Sequence, residues 1–297
     1  MKKSKIIFLL IVFMMMLFPV STQASSSSSG TCGDKVKWTL KKGKLTISGS
    51  GNMSDGCHYE WMDDVKTVII EKGVTSIGNK AFLWCSNLSN ITISNSVTSI
   101  GDSAFFRCTN LSSIEIPGSV TSIGKYAFYK CSNLSNITIS NSVTSIGDSA
   151  FFRCTNLSSI EIPGSVTSIG KYAFYKCSNL SNITIPDSVT SIGEYAFCSC
   201  KNLSSIEITG NVTSIGMYTF AYSGLNSITI PDSVTSIGNY VFFGCINLSN
   251  ITIPDSVTSI GDDAFWGVGS EFVLHCNPGS YAEEYAKNHN IAYEYIK

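Results

Sequence analysis

Eleven cysteines, three histidines and a few paired carboxylates are the side chains with reactive chemistry in this chain. Seven of the cysteines (Cys85, Cys108, Cys131, Cys154, Cys177, Cys200 and Cys245) share one position of a recurring pattern. Many cysteines in an extracytoplasmic protein suggest a disulfide framework. A ladder of equivalent positions does not suit one, because side chains facing the same way meet at a poor angle for bridging. The ladder therefore reads as buried free thiols acting as small hydrophobes. Zinc needs four converging ligands, and a straight ladder without nearby histidine does not converge, so no metal and no other cofactor is expected. Cys32 and Cys57 lie off the ladder and form the one candidate disulfide pair. Cys198-Ser199-Cys200 has a redox-like spacing, but Cys198 stands where other units carry aromatics and is expected to fill core. His58, His275 and His289 are scattered, and no H-E-x-x-H, G-x-S-x-G or phosphate-binding glycine loop accompanies them. Asp63-Asp64 and Asp262-Asp263 read as solvated turns. The expectation is a protein that is not an enzyme.

What remains is recognition chemistry. A row of polar residues recurs at alternate positions of an apolar pattern: Thr92, Glu115, Thr138, Glu161, Thr184, Glu207, Thr229 and Thr252. Asn90, Ser113, Asn136, Ser159, Asn182 and Ser205 run beside it. If these are water-facing strand positions, every second rung as far as Glu207 presents a carboxylate, roughly 10 Å from the next. Such a strip suits a repetitive polymer or a basic protein patch; equally, Thr and Asn are ordinary soluble strand residues. Arg107, Lys130, Arg153 and Lys176 make a short basic ladder elsewhere in the unit, each preceded by Phe106, Tyr129, Phe152 or Tyr175. Those aromatics are expected to pack between turns. The Asn-Leu-Ser and Asn-Ile-Thr sequons (Asn87, Asn90, Asn110) matter only in a eukaryotic host; otherwise the Asn before the buried Leu is expected to bond backbone.

The elements that position these residues follow from a 23-residue period. Valine opens each unit at Val74, Val97, Val120, Val143, Val166, Val189, Val212, Val234 and Val257, with one interval of 22 after Val212. The unit reads V-T-S-I-G-x-x-A-F-x-x-C-x-N-L-S-x-I-x-I-P-x-S, the kind of fixed period that marks a leucine-rich solenoid. Residues 85–139 recur unchanged at 131–185, so repeat number looks free to vary. In Leu134-Ser-Asn-Ile137-Thr-Ile139 the isoleucines alternate inward and the threonine outward. The prolines that follow end the strand. The glycine of V-T-S-I-G allows a corner, and Ala-Phe starts a short helical or 3₁₀ turn with Phe inside. An isolated unit would leave both flanks wet, so units must stack and the ends need caps. Val36 to Leu40 and Lys44 to Ile47 alternate around Lys41-Lys42-Gly43 as a hairpin. Residues 65–73 form the first rung and Phe272-Leu274-Cys276 the last strand. Ser280 with Glu283 gives a capping box for a closing helix through about Lys287, and Asn288 and Asn290 can end it.

Composition sets the compartment and excludes some partners. Met1 to Lys5 is basic, Ile6 to Val20 is apolar, and Thr22 and Ala24 occupy the small-residue places of a signal-peptidase site. The apolar run falls short of the roughly 20 residues needed to span a bilayer. Removing Lys2, Lys3 and Lys5 with this leader leaves 17 basic and 21 acidic side chains, a charge of −4. No basic field exists for nucleic acid, which is not an expected partner. Cys32 lacks the aliphatic neighbour that a lipid anchor requires. The expected organisation is a signal peptide at 1–24, a Ser-rich tether at 25–30, an N-terminal cap at 31–64, the solenoid at 65–276 and a C-terminal helix-and-strand cap at 277–297.

The repeat resembles the BspA-like leucine-rich repeats of bacterial and protist surface proteins over about 65–276. Ser29-Gly30-Thr31-Cys32-Gly33-Asp34 with Trp38-Thr39-Leu40 and Leu45-Thr46-Ile47-Ser48-Gly49 is similar to the opening segment of gut Gram-positive members. Gly279-Ser280-Tyr281-Ala282-Glu283 with Tyr285-Ala286-Lys287 is similar to their C-terminal segment. Two units depart from the pattern: that at Val212 lacks a residue and has Ser223 for Cys, and that at Val257 has Val268. The resemblance implies a leucine-rich repeat solenoid, a right-handed superhelix with a parallel β-sheet on one face and short helical or 3₁₀ turns on the other. It also implies exposure outside the cell and adhesion to matrix proteins or other cells. The expected protein is a secreted, monomeric, non-catalytic module that binds an extracellular protein; the alternatives are a glycan or cell-wall binder and an envelope or biofilm scaffold.

Overall fold

In the computed structural model the described residues are 27–296, so the leader at 1–24 lies outside them. Most units contribute two short strands and a run of turns. One strand is the Ser-Ile segment of V-T-S-I, and the nine of these join with Gly51–Asn52 into a ten-stranded parallel sheet. Pairing is between equivalent residues, Ser168 with Ser191 and Ile169 with Ile192. The segment read from sequence as the approach to a corner is thus itself the longer ladder. Its threonines reinforce it: the Thr121 N–H and Oγ1–H both donate to the Thr98 carbonyl, at 3.0 and 3.3 Å. The glycine that follows is needed for space rather than for its dihedral freedom. A Cβ on Gly147 would lie 2.7 Å from the Gly124 carbonyl carbon, and one on Gly193 would lie 2.4 Å from the Lys171 nitrogen.

The second strand is the x-I-x-I segment, which carries the candidate polar row. It pairs in parallel register in pieces, Ser113–Glu115 with Asn136–Thr138 and Asn182–Ile185 with Ser205–Ile208. At 227–230, beside the missing residue, only a single bridge from Thr229 to Thr252 is left. The Pro carbonyls accept from the Val N–H three residues on, as Pro117 does from Val120 at 3.0 Å.

Opposite these strands the chain turns through successive i to i+3 bonds, such as Ala127 N–H to Gly124 and Tyr129 N–H to Tyr126. The expected helical or 3₁₀ turns do not extend into a helix, because two residues per unit adopt left-handed backbone. In one unit these are Tyr126 (φ 58) and Lys130 (φ 57). The reversal turns alternate N–H groups outward, so that Tyr126, Phe128 and Lys130 donate to Asp148, Ala150 and Phe152 of the next rung. The turn side is therefore hydrogen-bonded along the stack as the strands are.

The core lies between strands and turns. Phe82, Phe105, Phe128, Phe151, Phe174, Phe197, Phe220, Phe242 and Phe265 form one stack, with successive centroids 5.2 to 5.8 Å apart. Beside it the ladder thiols from Cys108 on donate to phenylalanine carbonyls, Cys131 to Phe105 at 3.0 Å and Cys154 to Phe128 at 3.1 Å.

Both ends are closed. Strand β1 (Ser28–Thr31) pairs antiparallel with β2 (Val36–Lys41), and β2 with β3 (Lys44–Gly49). Lys42 and Gly43 both have positive φ, as a two-residue turn matched to strand twist requires. Part of the expected tether is therefore paired strand, because an edge on β2 is available to it. β3 then runs parallel to Thr67–Ile70 and starts the stack, while Trp38 and Trp61 cover the first phenylalanine. At the far end Val273–Cys276 pairs in parallel with Asn250–Thr252 on one side and Tyr293–Tyr295 on the other. Helix α1 (Tyr281–Asn288) packs over it, with Ser280 accepting from the Glu283 N–H. The return bond of the capping box goes one residue earlier than expected, from Gly279 N–H to the Glu283 carboxylate. Ser280 N–H is already taken by the Asn277 carbonyl. Lys287, the Gly279 N–H and the Tyr295 hydroxyl together pull the Glu283 carboxyl down to about 2.

Candidate binding face

The pleat decides which side chains meet water. In Asn136–Thr138 the isoleucine is buried and its neighbours are exposed, and Asn182–Ile185 and Ser205–Ile208 alternate likewise. Every residue of the expected strip is exposed: Asn90, Thr92, Ser113, Glu115, Asn136, Thr138, Ser159, Glu161, Asn182, Thr184, Ser205, Glu207, Thr229 and Thr252. Thr138 stands directly beside Glu115, and Glu207 beside Thr184. His275 extends the row past Thr252.

The strip is not an unbroken sheet. Residues 159–162 form no strand and pair with neither neighbouring rung. A cleft of about 610 Å³ opens there, lined by Asn136, Thr138, Ser159, Glu161, Asn182 and Thr184 along with the isoleucines between them and Pro186. Residues 113–115 and 136–138 have the same sequences as 159–161 and 182–184, yet they pair. The copies differ just beyond these strands, where Pro186 at the cleft replaces Ser140.

The other reactive groups stand apart from this face. The ladder thiols are buried, and burial pushes them up, to about 12 at Cys177 and about 11 at Cys245. Cys198 is buried too. Cys32 and Cys57 come together in the N-terminal cap with both thiols free. The Cys57 Sγ–H donates to Ser54 at 3.0 Å, and the adjacent Cys32 thiol lowers Cys57. His289 stacks on Tyr285 at 4.0 Å at the end of the helix, while His275 lies on the sheet. Among the described residues no three His, Cys, Asp or Glu side chains converge as a metal site, and no helix is long and apolar enough to cross a membrane. Of the asparagines preceding the buried Leu, Asn87 bonds backbone through its side chain, to Asp63 at 2.8 Å. Asn133, Asn156 and Asn179 instead use their main-chain N–H to the previous rung.

Sequence reasoning found the polar strip but missed the cleft, since identical sequences flank paired and unpaired rungs. It also placed only one strand per unit where most have two; the Ser-Ile alternation within V-T-S-I is too short to announce a strand.

Residues 52–181 and 167–278 match the model of the BspA type leucine rich repeat region, in 6 copies. Among solved structures, a leucine rich cell surface protein from Faecalibacterium prausnitzii A2-165 is 26% identical, over 88% of this chain and 97% of that one, with a TM-score of 0.41. A leucine-rich repeat protein from Eubacterium ventriosum ATCC 27560 is 25% identical over 82% and 95%, with a TM-score of 0.41. The T. pallidum leucine rich repeat protein is 20% identical over 90% and 95%, with a TM-score of 0.44. No curated protein matches the chain significantly.

Proposed function

This chain belongs to the BspA-type leucine-rich repeat family, and we propose that it is a secreted, non-catalytic adhesion module that binds an extracellular protein through its exposed polar strip. Export rests on the sequence of the first 24 residues. The observation that carries the binding role is the strip itself: exposed hydroxyls, amides and carboxylates in rung register, with a cleft of about 610 Å³ at its centre. Glu115, Glu161 and Glu207 recur at two-rung intervals, roughly 10 Å, so a partner with basic side chains on one face meets a carboxylate at each step. The cleft supplies the concavity that flat sheets lack.

The test is a triple variant, Glu115→Ala, Glu161→Ala and Glu207→Ala, assayed against a panel of immobilised matrix proteins and a glycan array. Loss of protein binding with an unchanged melting curve supports the reading. Unaltered binding removes this face from adhesion, and hits confined to neutral glycans replace the protein partner with a sugar.

A further inference from the structure

The turn side carries a second ladder that adhesion through the strip leaves unexplained. Arg107, Lys130, Arg153 and Lys176 occupy one position of four consecutive rungs, all in left-handed backbone with φ between 57 and 59°. Like charges thus stand side by side about 4.8 Å apart along the stack. Each cation lies over an aromatic ring: Lys130 is 5.5 Å from the centroid of Tyr129, Arg153 5.8 Å from Phe152 and Lys176 5.3 Å from Tyr175. Arg107 lies over Trp84 at 5.3 Å. Phe106, Tyr129, Phe152 and Tyr175 stack on one another at 4.5 to 4.7 Å, so packing accounts for the rings but not for the charges above them.

Among the described residues no carboxylate forms an ion pair with those charges. The ion pairs among the described residues are Lys125–Asp148, Lys171–Glu194 and Lys287–Glu283, and none includes the ladder. The Nε atoms of Arg107 and Arg153 are buried without a hydrogen-bond partner. Desolvation and the flanking Arg107 and Arg153 hold the Lys130 ammonium below its usual range. In a chain with a net negative charge, a row of unpaired cations is a local field that favours an anion.

The row ends in a pocket. Ser199 follows Lys176 at the next rung and Tyr222 follows Ser199. The small side chain opens a cavity of about 760 Å³, lined by Arg153, Lys176 and Lys201, by hydroxyls of Thr155, Ser178 and Ser199, and by Tyr222. Tyr222 is 49% exposed. Its ring leans on Gly244, where an added Cβ would come within 2.8 Å of it, so the glycine leaves the room that holds the ring upright. Cations suit a carboxylate or sulfate, hydroxyls suit ring hydroxyls, and an aromatic face suits the C–H face of a pyranose.

We propose that this pocket and ladder bind a linear anionic polysaccharide, one acidic sugar seated against Tyr222 and the following ones running along Lys176, Arg153, Lys130 and Arg107. A pyranose unit is about as long as one rung, so a polymer with an acid on each sugar meets one cation per residue. An extended acidic peptide fits less well, because its side chains alternate faces and same-side neighbours fall roughly 7 Å apart.

The experiment titrates the purified secreted chain with dextran sulfate, polygalacturonate, neutral dextran and poly-glutamate at several salt concentrations. Saturable binding of an acidic polysaccharide and none of neutral dextran is expected. The double variant Arg153→Gln, Lys176→Gln should weaken it about tenfold and reduce the slope of log affinity on log salt by roughly 1.5. Tyr222→Ala should weaken it with the melting curve unchanged, while Lys171→Gln and the Glu115, Glu161 and Glu207 variants should not. No polyanion binding at low salt, or binding indifferent to the double variant, overturns the proposal. Poly-glutamate binding as tightly as the polysaccharide and indifferent to Tyr222→Ala overturns it in favour of an acidic protein.

Discussion

At the scale of the residue, the cysteines show how much burial decides. Their recurrence after the buried phenylalanine marked them as interior hydrophobes, and they are. What the sequence did not carry is the S–H bond to the phenylalanine carbonyl of the preceding unit, a partner that exists only once two units are stacked. A thiol that is both buried and engaged as a donor resists ionisation, and the thiolate is the reactive form. Cys57 is the contrast: it is partly exposed and its ionisation is eased by Cys32. In the reduced native protein at pH 8, iodoacetamide should therefore label Cys57 first, and the ladder cysteines only after unfolding in guanidinium. Peptide mass spectrometry reads the order directly. Ladder labelling at the rate of Cys57 would mean that rungs open locally on the time scale of the reaction.

At the scale of the element, the turn run owes its form to residues held at positive φ. Ser103, with φ 57, is one of these and makes no side-chain hydrogen bond that would be lost on substitution. For an L-residue this backbone costs roughly 1–2 kcal/mol, which glycine avoids. Ser103→Gly should accordingly raise stability by about 1 kcal/mol, and Ser103→Val should lower it by at least as much, since a β-branched side chain fits this region worst. Urea midpoints with unchanged slopes check both. If Gly and Val shift the midpoint in the same direction, backbone conformation is not what constrains the site. None of this was legible beforehand, because serine, tyrosine, lysine and arginine share these positions and none of them announces left-handed backbone.

At the scale of the molecule, stability spreads from neighbour to neighbour. Adjacent rungs are hydrogen-bonded to one another through strands, thiols and turns, so removing whole units should leave the remaining contacts intact. Deleting residues 131–176 joins Lys130 to Cys177 and preserves the local sequence at the junction, because 85–139 and 131–185 are identical. This shortened chain should fold and melt cooperatively by circular dichroism. It leaves Arg107 and Lys130 in the places of Arg153 and Lys176 beside Ser199, so the pocket keeps its composition while the ladder falls from four cations to two. Polyanion binding should persist with a salt slope lower by roughly 1.5. A chain that failed to fold would show that stability depends on more than adjacent rungs.

The sequence by itself determined the solenoid, its period, the interior phenylalanines, isoleucines and thiols, and the identity of the outward polar strip. Those follow from alternation and spacing, which act within a single unit. The tertiary structure decided where the strip splits into a cleft, that V-T-S-I forms the longer sheet, and that the cations align unpaired above stacked rings beside a pocket. These features are relations between units. Two copies of one sequence can stand in different places in the stack, and only their neighbours determine whether backbone groups pair and whether charges find counter-charges.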